Sequence, residues 1–302
     1  MPYKVPFVNY PLQYKNLKGE IDAAIQSVLE RGDLILRRDV EDFEKAVAEF
    51  VGTKYAVGLN SGTDALFFSL KAAGIGPGDE VVTVSHTFIA SISTIVHTGA
   101  KPILIDVKED FLMDVAAIEK AITSKTKAIL PVHLNGRVCE MDKIMEIAEK
   151  HNLVVIEDAA QALGTKFKGK GGGSFGLTGC FSFYPAKILG SYGDAGALTT
   201  NNPEIAEKIR LYRDHCQETK TKIVCHGWNS RLDNIQAAVL NVKIRHLPRW
   251  IERRREIAKI YENGLSDISD IKLPPGPGSD EDHFDNFQNY VLRVQERDSL
   301  FN

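Results

Sequence analysis

The feature that most constrains this chain is a regular alternation of short apolar strands with amphipathic helices in its first half. Apolar runs at Glu80–Val84, Pro102–Asp106, Ala128–Val132 and Leu153–Glu157 are separated by helical patterns such as Ile89–His97. Strands that are apolar on both faces belong in a parallel sheet covered by helices on both sides. The sequence therefore predicts an α/β fold with a mostly parallel central sheet.

Four further helices are predicted outside this alternation. The apolar stripes Leu17–Val28 and Val40–Phe50 predict two amphipathic helices before the sheet. The segments Pro203–Arg213 and Leu232–Tyr261 predict two helices after it, the second of them long.

The C-terminal part predicts a second, smaller domain. Arg253–Arg255 lie on the long helix and are interpreted as a solvated face, and Pro274–Gly278 is interpreted as a linker. Asn289–Val294 then has the alternation of a strand. We therefore expect a large domain over residues 1–240, with residues 241–302 holding the long helix and the start of a small α/β domain.

Composition excludes several classes of function. The 302 residues carry 37 basic and 40 acidic side chains, a net charge of −3 that offers nucleic acid no basic surface. No apolar run reaches membrane-spanning length, and the N-terminus lacks the layout of a signal peptide. The four cysteines are scattered without metal-type spacing, so we expect free thiols and a cytoplasmic protein.

Polar residues stand where the predicted strands end. Ser61, Ser85, His133 and Asp158 each follow such a strand, so they should gather at one edge of the sheet, where ligands bind. Ser61 also opens the run Ser-Gly-Thr-Asp before a helix, which is a site for an anion on backbone N–H groups. An ordinary helix N-cap explains the same run and is the simpler interpretation by itself.

A lysine and an aspartate suggest the chemistry of such a site. Lys187 and Ser182 lie in one loop after the Asp158 strand, and Phe88 follows another strand. Pyridoxal phosphate (PLP) needs an amine for a Schiff base, an acid for its ring nitrogen and donors for its phosphate. The alternatives are a turn lysine, a capping aspartate and a packed phenylalanine. The glycine-rich stretch at 168–174 lacks the spacing of a nucleotide-binding loop.

Together the motifs resemble the DegT/DnrJ/EryC1/StrS sugar aminotransferases, PLP enzymes of fold type I. The resemblance covers nearly the whole chain and rests on a set of short motifs: Leu59–Leu66, Pro131–Gly136, Glu157–Gln161, Phe181–Lys187, Gly193–Ala197 and Asn229–Ala238.

The resemblance implies a role for eight residues. Lys187 would form the Schiff base and Asp158 would hold the ring nitrogen, so these two are the expected catalytic residues. The others would bind the cofactor: Gly62, Thr63 and Ser182 at the phosphate, Phe88 against the ring, Gln161 near the ring hydroxyl, and Asn229 at the phosphate of a neighbouring subunit. The resemblance therefore also implies a homodimer with shared sites. A metal on Asp158 is a further alternative, but no carboxylates or histidines stand at ligand spacing around it, so we expect none.

The implied activity is transfer of an amino group from glutamate to a keto sugar nucleotide. The run Phe183–Gly190 with Tyr192–Asp194 resembles members that act on 3-keto rather than 4-keto sugars. One alternative is a sugar dehydratase, but that branch replaces the lysine by histidine. The other is a non-catalytic or regulatory protein with the same fold, or a fragment of an enzyme.

The chain departs from the family pattern at a few positions. Leu36-Arg37 stands where a glycine is usual, Ile188 replaces an asparagine, and Asn135 replaces a tyrosine. Family members continue for several tens of residues beyond the position of Asn302, so the resemblance implies an incomplete small domain.

Overall fold

The structure is a computed structural model that describes residues 5–301, with the side chains of residues 300 and 301 left aside. Its helices are Tyr10–Arg31 (α1), Arg38–Val51 (α2), Gly62–Ala72 (α3), Ile89–His97 (α4), Val115–Ala121 (α5), Met141–Lys150 (α6), Pro203–Arg213 (α7), Asn234–Leu265 (α8) and Arg297–Phe301 (α9).

The strands of the central sheet are Tyr55–Leu59 (β1), Glu80–Val84 (β2), Lys101–Ile105 (β3), Thr126–Ile129 (β4), Val154–Asp158 (β5), Thr178–Ser182 (β8) and Gly196–Thr200 (β9). Shorter strands form small sheets around it: Lys166–Phe167 (β6), Lys170–Gly171 (β7), Gln217–Thr219 (β10), Lys222–Ile223 (β11), Ile271–Lys272 (β12), His283–Phe284 (β13) and Arg293–Val294 (β14).

The central sheet has the strand order β1-β9-β8-β5-β4-β2-β3 and is mostly parallel, which confirms the predicted fold class. Strand β9 is the exception, because it runs antiparallel to both β8 and β1. A parallel neighbour requires a long crossover, usually a helix. The segment between β8 and β9 contains Lys187 and no helix, so the chain returns directly and the lysine loop lies at the end of the sheet.

The predicted apolar faces are buried. All five residues of β2 are buried, and Leu66, Phe68 and Leu70 of α3 pack in the same core. On the other side Phe43 of α2 meets Phe183 edge to face, with ring centroids 5.1 Å apart. Helices α2 and α8 therefore share a core with the lysine loop, and α1 packs on α8.

Two predicted strands differ from the structure by more than one residue. Strand β4 ends at Ile129 rather than Val132, two residues before Pro131, which has no N–H to donate to a ladder. The predicted strand Asn289–Val294 is wrong in extent, because only Arg293–Val294 pairs, with Ile271–Lys272. Residues 285–289 are irregular instead, since their polar groups bond to other parts of the chain.

The arginine triplet and two cysteines also correct the sequence interpretation. Arg254 and Arg255 donate to the backbone carbonyls of Phe287 and Asp285 (3.0 Å each), so these two are not part of a solvated face, whereas Arg253 is exposed as predicted. Cys216 and Cys225 form a disulfide rather than free thiols. The β10–β11 hairpin brings their Cα atoms to 5.3 Å, within the range for such a bond. Cys139 and Cys180 are buried and free, as expected.

Other sequence features have simple structural counterparts. Leu36, at the usual glycine position, has φ 48°, in the left-handed region that favours glycine. The expected division at residue 240 falls inside α8, and it stays a prediction. Within residues 5–301, no helix is both long and apolar enough to cross a membrane.

Candidate active site

A cavity of about 530 Å³ opens at the carboxyl ends of the central strands. Seven of the eight residues expected at the cofactor line it: Gly62, Thr63, Phe88, Asp158, Gln161, Ser182 and Lys187. Ser61 and His133 line it as well, but Ser85 lies in a separate shallow groove with His86. The strand-end residues thus converge as expected, with Ser85 as the exception.

The first turn of α3 forms one wall of this cavity. The Ser61 hydroxyl caps the helix by accepting from the backbone N–H of Asp64 (3.1 Å), so the N-cap interpretation holds for this residue. The first N–H groups of a helix have no helical acceptor. Gly62 lies so close to β8 that a Cβ would be 2.8 Å from the Ser182 Cβ. The free N–H groups at the start of α3 and the Ser182 hydroxyl therefore lie close together, in an arrangement suited to binding a phosphate.

The Asp158 carboxylate is held at the end of β5 by defined hydrogen bonds. Its Oδ2 accepts from the Ser91 hydroxyl (2.7 Å) and its Oδ1 from the backbone N–H of Ala160 (3.1 Å). Ser91 is fully buried and also lies 2.7 Å from the Thr87 hydroxyl. Asp158 itself is only 6% exposed, so its side chain is largely shielded from water at the wall of the cavity.

The Lys187 loop is closed by backbone contacts. Phe183 N–H donates to the Ala195 carbonyl and Ser191 N–H to the Phe183 carbonyl, both at 2.8 Å. Burial lowers the pKa of the Lys187 ammonium below its ordinary value, and the negative charge of Asp158 opposes this shift. A partly buried amine with a lowered pKa is a better nucleophile than a surface lysine.

Gln161 is oriented by contacts to its oxygen. The side-chain oxygen accepts from the Asn135 backbone N–H (2.6 Å) and lies 3.4 Å from the Asn289 amide nitrogen. The group it can offer a ligand in the cavity is therefore its NH₂ donor. A donor there suits a ring hydroxyl or its ionised form.

A buried acid beneath the cavity was not anticipated. Glu157 is fully buried and accepts from the backbone N–H groups of Gly173, Phe175 and Gly176 and from His133 Nε2, at 2.7–2.9 Å. His133 Nδ1 accepts from the Cys139 N–H, so the ring proton lies on Nε2. The glycine-rich stretch therefore anchors the floor of the site. The sequence signal for this buried acid was a charged residue, Glu157, within an otherwise apolar strand.

Asn229 and Phe88 differ from the other expected site residues. Asn229 is exposed, pairs with Asp214 in an isolated β-bridge and does not line the cavity of its own chain. Phe88 lines the cavity but is 70% exposed at its rim, directly before α4. Their positions alone do not test the expected roles, which are a phosphate contact in the neighbouring subunit for Asn229 and ring stacking for Phe88. Both roles stay predictions.

Taken together, a mostly parallel sheet with a lysine, a buried acid and a helix N-terminus at one cavity defines a PLP-dependent transferase. Residues 15–302 match the sequence profile of the DegT/DnrJ/EryC1/StrS aminotransferase family, and the chain belongs to it. The family uses PLP, and two solved structures similar to this chain are in the pyridoxamine phosphate form. The protein is accordingly a PLP-dependent transaminase.

Individual relatives are similar over most of their length. The dTDP-3-amino-3,4,6-trideoxy-α-D-glucose transaminase of Streptomyces venezuelae is 42% identical, covering 98% of this chain and 78% of the relative. A pleiotropic regulatory protein of Geobacillus stearothermophilus is 43% identical over 98% of this chain and 80% of its own. The crystal structure of S. venezuelae DesV with a ketimine intermediate superposes with a TM-score of 0.95 at 42% identity, covering 99% of this chain and 80% of that one.

Proposed function

We propose that this transaminase moves an amino group from glutamate to a keto sugar nucleotide, with 3-keto sugars favoured over 4-keto sugars, in amino-sugar biosynthesis. The observation that carries the proposal is the meeting of Lys187, Asp158 and the start of α3 in one cavity. The similar S. venezuelae transaminase, named for a 3-amino sugar, supports the substrate class.

The residues around the cavity fit PLP. Gly62 and Thr63 at the start of α3, with Ser182, would hold the phosphate. Because a Cβ on Gly62 would lie 2.8 Å from the Ser182 Cβ, glycine is what lets the helix start and Ser182 come this close. Asp158 would hold a protonated ring nitrogen, and Gln161 would donate to the ring hydroxyl. When bound, the cofactor supplies an electron sink for the carbon that exchanges its amino group.

Within this assignment the chain's own groups have definite tasks. The Lys187 Nζ attaches the cofactor and afterwards accepts and returns the proton that leaves the α-carbon of the donor. Its lowered pKa makes the neutral amine available for both tasks. The Asp158 carboxylate would face the ring nitrogen, held in place by the Ser91 hydroxyl and the Ala160 N–H.

The proposal includes a homodimer in which Asn229 reaches the phosphate of the second copy. Its exposed position outside its own cavity agrees with that role. Phe88 and Tyr184 stand 70% and 53% exposed beside the cavity, as expected of apolar residues that a second copy covers. The proposed compartment is the cytoplasm, and the Cys216–Cys225 bond is the one observation that points elsewhere.

Replacement of Lys187 tests the catalytic proposal. We expect borohydride reduction to fix pyridoxal on Lys187, and Lys187→Ala to lose both the absorbance of the Schiff base and all release of 2-oxoglutarate from glutamate. Lys45→Ala, at an exposed position on α2, is the matched control and should behave as wild type. An active Lys187→Ala protein would refute the assignment of Lys187 as the Schiff-base residue.

Substrate assays then separate the finer claims. Enzyme in the pyridoxamine form is offered 3-keto and 4-keto sugar nucleotides, and its reoxidation is followed by absorbance. Faster turnover of 3-keto substrates supports the proposal, and a preference for 4-keto substrates contradicts it. Cofactor on Lys187 without transfer to any of them would favour a regulatory protein, the function that the G. stearothermophilus relative is named for.

A further inference from the structure

Residues 285–289, here called the 285–289 strap, form a buried segment without regular structure next to the Lys187 loop. Asp285, Asn286, Phe287 and Gln288 are all less than 8% exposed, and Phe287 has φ 50°. Buried irregular backbone requires partners for its polar groups. The side chains of this strap are mostly amides, which can supply both donors and acceptors.

The strap is held firmly from two sides. The Asn286 amide donates to the carbonyls of Gln161 (3.1 Å) and Leu163 (2.9 Å), next to the expected ring-hydroxyl residue. On the other side Arg254 of α8 donates to the carbonyls of Phe287 (3.0 Å) and Gln288 (3.3 Å). The Gln288 backbone is therefore anchored to α8 and, through Asn286, to the cofactor cavity.

Gln288 uses its side chain to bridge the residues on either side of Lys187. Its Oε1 accepts from the Ile188 backbone N–H (2.7 Å), and its Nε2 donates to the Ala186 carbonyl (3.1 Å). The Lys187 N–H itself donates to the Tyr184 carbonyl (2.8 Å). The peptide groups before and after Lys187 are thus both fixed, which restricts the direction of its side chain.

We propose that Gln288 is a positioning residue for Lys187, which it sets in place through the backbone and without touching the reacting atoms. The inference rests on the proposed role of Lys187 as the Schiff-base amine. Only a side chain with one donor and one acceptor at this reach satisfies both Ala186 and Ile188. Small errors in the placement of a reacting group cost rate steeply, so the bridge matters for attachment of the cofactor.

The first test uses Gln288→Leu, which removes both bonds but keeps an apolar side chain of similar size. We expect the rate at which cofactor-free protein captures PLP to fall about tenfold to a hundredfold. Hydrogen exchange at the Ile188 amide should rise, and kcat should fall more than KM changes. The matched control is Gln236→Leu, because Gln236 bonds the same loop at the Tyr192 N–H (3.1 Å), away from the lysine.

The second test uses Gln288→Glu, which keeps the shape. A protonated carboxyl offers one donor and one acceptor as the amide does, whereas the ionised form has no donor for the Ala186 carbonyl. The capture rate relative to wild type should therefore fall as pH rises from about 5 to about 8, because burial raises the pKa of such a carboxyl above its ordinary value of about 4.3. A purely structural loss would give the same ratio at each pH.

The outcomes separate this inference from the proposed function. If borohydride does not fix PLP on Lys187 in the wild-type protein, the proposed function is refuted. The inference about Gln288 is then refuted as well, because it rests on that role of Lys187. If wild type is labelled but Gln288→Leu captures PLP at the wild-type rate with unchanged exchange at Ile188, only the inference is overturned. The inference is also overturned if the PLP capture rate of Gln288→Glu relative to wild type does not change with pH. This second test remains available if Gln288→Leu does not fold.

Discussion

Gly62→Ala is a direct test of how tightly the start of α3 packs against β8. An added Cβ would lie 2.8 Å from the Ser182 Cβ and 3.2 Å from both the Phe181 carbonyl oxygen and the Ser182 Cα. Carbon atoms pack best at about 3.5–4.0 Å, so at least about 0.7 Å must be relieved. Strand β8 is paired on both sides, with β5 and with β9, so the helix start has to move instead.

The size of the effect follows from this overlap. Forcing one extra carbon into packed surroundings costs about 1–3 kcal/mol. If the helix start binds the phosphate, as proposed, the same displacement weakens PLP binding, and each 1.4 kcal/mol is about tenfold in affinity. We therefore expect the dissociation constant for PLP to rise about fivefold to a hundredfold, together with a lower free energy of unfolding.

The assay titrates cofactor-free protein with PLP and follows the Schiff-base absorbance, with urea unfolding measured in parallel. Gly19→Ala is the control, because that glycine lies in α1 and a Cβ there has no atom within 4 Å. The control should bind PLP as wild type does and gain about 0.5–1 kcal/mol of stability. Unchanged PLP affinity in Gly62→Ala, whatever happens to stability, would refute the phosphate site at α3.

Two further predictions concern buried charges. Glu157→Gln places an NH₂ group against the N–H donors of Gly173 and His133, so the free energy of unfolding should fall by about 2–4 kcal/mol. The control, Glu146→Gln, changes an exposed residue and should leave the free energy of unfolding unchanged. Equal urea midpoints for the two variants would contradict this prediction. Burial lowers the pKa of Lys243 to about 8 in the folded protein, whereas its ordinary value is 10.5. Between about pH 8 and pH 10.5 the lysine is therefore protonated in the unfolded chain but neutral in the folded one. Wild type should therefore gain stability with rising pH over this window relative to Lys243→Met, and parallel pH profiles from urea unfolding would rule this out.

The sequence was most informative where local pattern decides structure. The bounds of Glu80–Val84, Ile89–His97 and Pro203–Arg213 agree with prediction, because a continuous apolar run, helical periodicity and a proline at a helix start are local signals. The strand predicted over Asn289–Val294 failed for the opposite reason. Its alternation is real, but Asn289 bonds to Asn135 rather than to a neighbouring strand.

The site shows the same division. Lys187 and Asp158 were recognisable from a short motif and a strand end, and both line the cavity. Glu157 and Gln288 escaped notice because an acid in a strand and an amide after a linker are ordinary in isolation. Their roles depend on partners such as Gly173 and Ile188, the latter 100 positions from Gln288.

What the sequence determined by itself is the fold class, the family and the lysine that would carry the cofactor, since periodicity and motifs are written in neighbouring residues. Only the tertiary structure decided that Cys216 pairs with Cys225, that Arg254 turns inward, and that an amide bridges both sides of Lys187. Such contacts join segments far apart in the chain. Their geometry follows from how the sheet, α8 and the 285–289 strap pack together, and no local pattern contains it.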